Sequence, residues 1–261
     1  MNEFLSKRDF QAGRIEFIAS EDRVMCLKCD SSTRRKFLSF TTAGIASVGL
    51  LGASGAISPS RSATKLSPDD ALARLRAGNE KFLSAPQLCE TNLAATRTEV
   101  AKGQSPWATI LTCADSRVPP ELVFGGVVLG ELFVARNAGN TADTDTMGTI
   151  EYGAEHLGSP LIVVLGHQNC GAVAAACEVV EKHTKLPGSI GPMVAAIVPA
   201  AQAVRGKPGD FIDNAVRENA RRTASRIGSK SEIIEELVHH GKVKIVYARY
   251  DLNTGVVEFL G

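Results

Sequence analysis

The chain has 261 residues, 44% of them hydrophobic and 22% charged, with a formal net charge of +1. This length and composition fit one soluble globular domain plus an extension, and the charge offers no basic surplus for a nucleic-acid partner. Six cysteines are too few to scaffold a chain this long with disulfides, so each is read singly.

Residues 1–56 read as a leader. Thr33-Arg34-Arg35-Lys36-Phe37-Leu38 precedes an uncharged, mildly apolar stretch from Phe40 to Ala56 that contains four glycines. No acidic residue occurs from Ser31 to Pro68, and Ser54 and Ala56 are small residues suited to cleavage. The pattern resembles a twin-arginine export signal, so the mature chain is expected outside the cytoplasm, in a periplasm, without a stable membrane span. If the leader is not functional, the chain stays cytoplasmic. About thirty residues precede the paired arginines, and Met25 is a possible alternative start. Cys26 and Cys29 form a CxxC with no second pair nearby and read as part of an unstructured leader. Residues 57–65 are a polar linker, and residues 66–261 are the folded domain.

Within that domain Ser67 and Pro68 open an amphipathic helix carrying Leu72, Leu75, Asn79 and Phe82 at helical spacing. Trp107–Cys113 reads as a buried strand. A second strand ends near Arg136, and a helix over 146–158 is closed by Gly158. Residues 160–167 form a nearly all-apolar third strand ending at His167, and a helix follows from Cys170. Residues 210–241 read as helices, with Ser229 and Glu232 spaced as a capping box. Two strands around a turn with Asn253 and Gly255 close the chain. Apolar strands alternating with helices predict an α/β fold: a mostly parallel central sheet flanked by helices.

Cys113 and His167 then lie at the carboxyl ends of two strands, where ligand sites form in open α/β sheets. Cys170 is three residues beyond His167. Two thiolates and one imidazole suit Zn²⁺ and leave a fourth position open. Asp115 can fill that position or hydrogen-bond what fills it, and Arg117 can hold Asp115 in a bidentate pair. A Cys113–Cys170 disulfide and plain core cysteines fit the same spacing. Cys177 reads as core and Cys89 as a free loop thiol. His156, His183, His239 and His240 show no ligand pattern, and His183 is the candidate for a proton shuttle.

Cys113-Ala-Asp-Ser-Arg117, Arg136-Asn-Ala-Gly-Asn140, Ile150-Glu-Tyr152 and the run from Leu161 to Val173 together resemble the β-class carbonic anhydrases in order and spacing. The resemblance implies one zinc per chain on Cys113, His167 and Cys170, with Asp115 and Arg117 as catalytic dyad and Asp115 as fourth ligand in a closed form. It implies a pocket with Phe133 and Tyr152, the Gly171 N–H facing substrate, and Gln104 reaching in from a partner subunit of a homodimer or larger assembly. Val118 is expected to add apolar wall. Gln168 departs from the Ser, Asp or Gly of many members and is expected only at the pocket rim. The implied reaction is reversible hydration of carbon dioxide to bicarbonate and a proton. Hydrolysis of carbonyl sulfide or carbon disulfide on the same site, or bicarbonate binding without turnover, are the alternatives.

Overall fold

The computed structural model of the chain describes residues 64–85 and 93–261. The paired arginines, Cys26, Cys29 and Cys89 lie outside the described residues. In chain order the elements are α1 (Pro68–Ser84), α2 (Leu93–Val100), β1 (Ala108–Cys113), α3 (Pro120–Val123), β2 (Leu132–Asn137) and α4 (Thr144–Glu151). A π-helical turn (Tyr152–His156), β3 (Leu161–His167), α5 (Gly171–Lys182), α6 (Ile190–Ala195) and α7 (Val198–Val204) follow. The chain closes with α8 (Phe211–Lys230), α9 (Glu232–His239), β4 (Lys244–Tyr250) and β5 (Val257–Phe259).

The strands form one sheet in the order β2-β1-β3-β4-β5. The first four are parallel, and β5 returns antiparallel to β4. This is the expected α/β sheet, and its central strand shows why the apolar runs were continuous. Successive side chains of a strand point to opposite faces, and every residue of β3 is buried. Leu161, Val163 and Leu165 pack with Ala71 and Leu75 of α1 and Val123 of α3. Ile162 and Val164 pack on the other face with Ile150 of α4, Ala220, Ala224 and Ile227 of α8, and Ile234 of α9. Each such side chain contributes about 1.5–3 kcal/mol by burial, so both faces of β3 must be covered. A third apolar cluster, built from α5, α6, α7 and the start of α8, encloses Cys113 and Cys170.

Ser67 caps α1 as expected, accepting from the Asp70 N–H at 3.1 Å. The cap of α9 differs from expectation. Ser229 lies inside α8, which continues through Lys230, and Ser231 is the cap, accepting from the Ile234 N–H at 3.2 Å. Ser231 also donates to Glu151 at 2.6 Å. That tertiary bond ties the break between α8 and α9 to the end of α4, which local spacing alone does not reveal. The helix expected over 146–158 begins earlier, at Thr144 on an Asp143 cap, and ends in the π-turn. Among the described residues no helix is long and apolar enough to cross a membrane.

Candidate metal centre

Parallel pairing of β1 with β3, in register at Thr112 and Leu165, brings the carboxyl ends of the two strands side by side. Cys113 ends β1 and His167 ends β3. Asn169, at φ 54°, turns the chain sharply so that Cys170 becomes the N-cap of α5. The ligand atoms of Cys113, His167 and Cys170 lie within 4.8 Å of one another, and all three residues are buried.

Three observations test whether a metal fits. The two sulfurs are 3.9 Å apart and both thiols are free, whereas a disulfide requires about 2.05 Å. Two sulfurs each about 2.3 Å from one tetrahedral zinc would stand about 3.8 Å apart. His167 is fully buried, and its Nε2 has no hydrogen-bond partner. Its Nδ1 lies 2.8 Å from the main-chain oxygen of Gln168, which fixes Nδ1 as the donor and leaves the Nε2 lone pair free. Between the two sulfurs either thiol can be the hydrogen-bond donor, with its proton lying between them. Cys113 is lowered to about 4, first by the hydrogen bond from Cys170 and then, against the cost of burial, by His167 and the Gly139 amide. Cys170 is pushed far above the usual thiol range by the same pairing and by burial. A divalent cation in place of that proton would let both sulfurs ionise. The residues therefore fit a soft-ligand metal ion.

The Cys113 sulfur is supported by a main-chain donor. The Gly139 N–H lies 3.4 Å from Cys113 Sγ. Gly139 sits at φ 84°, and a Cβ there would come within 2.4 Å of Ile197 Cδ1, so glycine is required for that approach. Asn219, buried in α8, donates to the Gly139 oxygen at 2.8 Å and holds the loop in place. Cys170 caps the start of α5 without a side-chain hydrogen bond to the helix. The Gly139 N–H···S contact draws charge from the Cys113 sulfur and would partly offset the weakening of Lewis acidity that two thiolates bring.

Asp115 and Arg117 form the expected pair. Arg117 donates to Asp115 from Nε at 2.9 Å, from an Nη at 2.7 Å and from its main-chain N–H at 2.9 Å. The guanidinium hydrogen bonds hold the Asp115 carboxyl well below the usual carboxylate range. Its Oδ2 stands 3.8 Å from His167 Nε2, beside the ligand set but engaged by arginine. The loop carrying Asp115 is pinned by Arg136, which donates to the Cys113 oxygen at 3.0 Å and to the Asp115 oxygen at 2.6 Å. Sequence alone marks Arg136 only as part of a motif; its role depends on the β1–β2 register.

Other expected residues fall elsewhere. Gly171 opens α5, and nothing lies within 4 Å of where its Cβ would stand, so the space before this helix N-terminus is open. Val118 is fully buried in the core and is no accessible wall. Gln168 is not a rim residue: its main-chain oxygen receives the His167 ring, and its Oε1 accepts from the Leu252 N–H at 3.2 Å. Gln104 precedes β1, and Phe133 pairs with Thr109 near the amino end of that strand. Tyr152 is 44% exposed and meets Phe133 in a tilted ring contact with centroids 6.0 Å apart. At about 3.3 Å per strand residue, Phe133 is about 13 Å back along the sheet from the Cys113 end. Within one chain Phe133, with Tyr152 against it, therefore lies remote from Asp115, as does Gln104. His183 closes α5 at its far end, about 20 Å from Cys170 at 1.5 Å per residue, too far to act as a shuttle in the same chain. Cys177 is core as expected, its thiol pushed up to about 11 by burial.

An α/β sheet with a Cys–His–Cys set at its strand ends and an Arg-held carboxylate beside it defines a candidate metalloenzyme. Residues 108–257 match the family model described as carbonic anhydrase. The chain is 35% identical over 181 residues to carbonic anhydrase 2 of Mycobacterium tuberculosis, covering 69% of this chain and 87% of that protein. It is 32% identical over 184 residues to the carbonic anhydrase of Mycolicibacterium smegmatis, covering 70% and 89%. The Coccomyxa β-carbonic anhydrase in complex with acetazolamide superposes with a TM-score of 0.57 at 29% identity, covering 64% of this chain and 77% of that one. The chain belongs to the carbonic anhydrase family and has the β-class fold.

Proposed function

We propose that the folded domain holds one zinc ion through Cys113, His167 and Cys170 and hydrates carbon dioxide reversibly to bicarbonate and a proton. The observation that carries this is the buried, unpartnered His167 Nε2 facing two sulfurs at metal-ligand separation. Zinc bound there supplies the Lewis acidity that makes water a nucleophile near neutral pH. Asp115, kept acceptor-only by Arg117, accepts a hydrogen bond from the attacking water and so orients its lone pair toward the carbon. The Gly171 N–H and the positive end of α5 stabilise the negative charge that develops on the bicarbonate oxygens. With its carboxylate engaged by Arg117, Asp115 would be left to hydrogen-bond water rather than to hold the ion. Stopped-flow assay of the zinc protein with carbon dioxide, carbonyl sulfide and carbon disulfide tests the reading. Turnover of carbon dioxide orders of magnitude above the other two supports it; the reverse order would reassign the substrate.

The pocket is completed by a second copy. Support comes from the position of Gln104, Phe133 and Tyr152 at the end of the sheet remote from their own Cys113, beside β2, which is an edge strand. Leu132, Phe133 and Val134 on that edge are only half-buried. The domain is expected to sediment as a dimer or larger assembly at assay concentration, with the partner's residues supplying the amide and aromatics. A fully active monomer would refute this.

The chain is exported by the twin-arginine route, a reading supported by Arg34-Arg35 and the mild apolar run to Ala56. Folding before export would load the metal and keep Cys113 and Cys170 from pairing in an oxidising compartment. Wild type is expected as residues 57–261 in the periplasmic fraction, and the Arg34→Lys, Arg35→Lys double variant as uncleaved precursor. Full-length wild type in the cytoplasm would overturn the export reading while leaving the zinc site standing.

A further inference from the structure

The turn that presents His167 and Cys170 contains a left-handed non-glycine residue, Asn169 at φ 54°. Asparagine tolerates this region better than most residues, but such a turn persists only where its surroundings over-determine it. Gln168 supplies three of the constraints. Its N–H donates to the Tyr250 oxygen at 2.9 Å, extending the β3–β4 pairing by one step. Its oxygen receives His167 Nδ1 at 2.8 Å. Its side-chain Oε1 accepts from the Leu252 N–H at 3.2 Å.

Leu252 lies in the β4–β5 connection, which is itself firmly held. Asp251 accepts from the Asn253 and Thr254 amides at 3.0 and 2.9 Å. Asn79 of α1, buried, accepts from the Val257 N–H at 2.9 Å and donates to the Gly255 and Val123 oxygens at 2.9 and 3.0 Å. The connection is thus a braced block anchored to α1 and α3, and Gln168 is the side chain that joins it to the ligand-bearing turn.

We propose that Gln168 is a positioning residue of the metal centre: its Oε1 tether to Leu252 holds the His167–Cys170 turn in the geometry that retains the metal. The proposal rests on the zinc assignment above. Removing the tether leaves both main-chain bonds of Gln168 but frees the turn to rock. The acceptor of His167 Nδ1 moves with that turn, so the ring's aim at the metal loosens too. Partners that orient metal-bound histidines are typically worth about 10–100-fold in metal affinity.

The test compares full-length wild type with Gln168→Leu, Gln168→Ala and Gln168→Glu. Zinc release to a chelator is timed, the visible spectrum of the cobalt-substituted protein is recorded, and hydrogen exchange at Leu252 and residues 167–172 is followed in the metal-free protein. The Leu and Ala variants are expected to release zinc about 10-fold faster, to shift the cobalt bands and to exchange the Leu252 amide faster. The Glu variant keeps the acceptor oxygen and is expected to restore all three. If the Leu variant does not fold, the Ala variant, which inserts no bulk, carries the comparison. Unchanged zinc release and cobalt spectra in a zinc-loaded Leu or Ala variant would overturn the role of Gln168, as would failure of Glu to rescue. A wild type that holds no zinc would instead overturn the metal assignment.

Discussion

Asp115→Asn is expected to keep its zinc and its fold and to lose hydration activity by about 10²–10⁴-fold, the range for removing a positioned proton-handling group. The present carboxylate receives three hydrogen bonds from Arg117 and offers only acceptors to the space beside His167. An asparagine would place an N–H₂ either against the Arg117 guanidinium or toward the attacking water. The first arrangement breaks the arginine pair; the second presents a donor where an acceptor is needed. Because the Arg117 hydrogen bonds hold the carboxyl well below its usual range, Asp115 stays ionised across neutral and alkaline pH. The deficit of the variant is therefore expected to be the same across that range. Stopped-flow hydration with metal analysis on the same samples checks it. Wild-type turnover in the variant would show that the pair has no catalytic part.

The second large effect is on metal content. His167→Ala and Cys170→Ser are each expected to bring zinc from about one per chain to near none. Each removes one of three soft ligands, a larger loss than the roughly 10–100-fold that follows from removing a supporting partner. Cys177→Ser is the matched control. Cys177 is also a buried thiol, on the same α5, but it lies outside the ligand set, so its variant is expected to retain zinc. Stoichiometric zinc in both ligand variants would show that the metal binds elsewhere.

Much of this site is legible in the sequence because each central strand ends on its functional residue. The apolar run of β1 stops at Cys113 and that of β3 at His167, so a parallel sheet in which these two strands are neighbours brings them together. The rest depends on tertiary choices. Which end of the sheet Phe133 occupies follows from where β2 starts, and motif spacing does not report that end. Arg136 reaches the Cys113 and Asp115 oxygens only because β1 and β2 pair with Thr112 opposite Arg136. Asn219 acts on a loop 80 residues earlier, beyond any local pattern. Helices α6 and α7 are too short to show a clear apolar period, and Pro192 and Pro199 occupy their first turns, where a proline costs no helical hydrogen bond. Gln168 looks like a substitution at a pocket rim. Its function emerges only once the β4–β5 connection is seen beside it.

X-ray absorption at the zinc edge of the purified wild-type protein tests the central claim most directly. The account predicts one zinc per chain with two sulfurs at about 2.3 Å and one nitrogen at about 2.0–2.1 Å, completed by one light atom. A protein without zinc, or a zinc shell of oxygen and nitrogen with no sulfur, would contradict it.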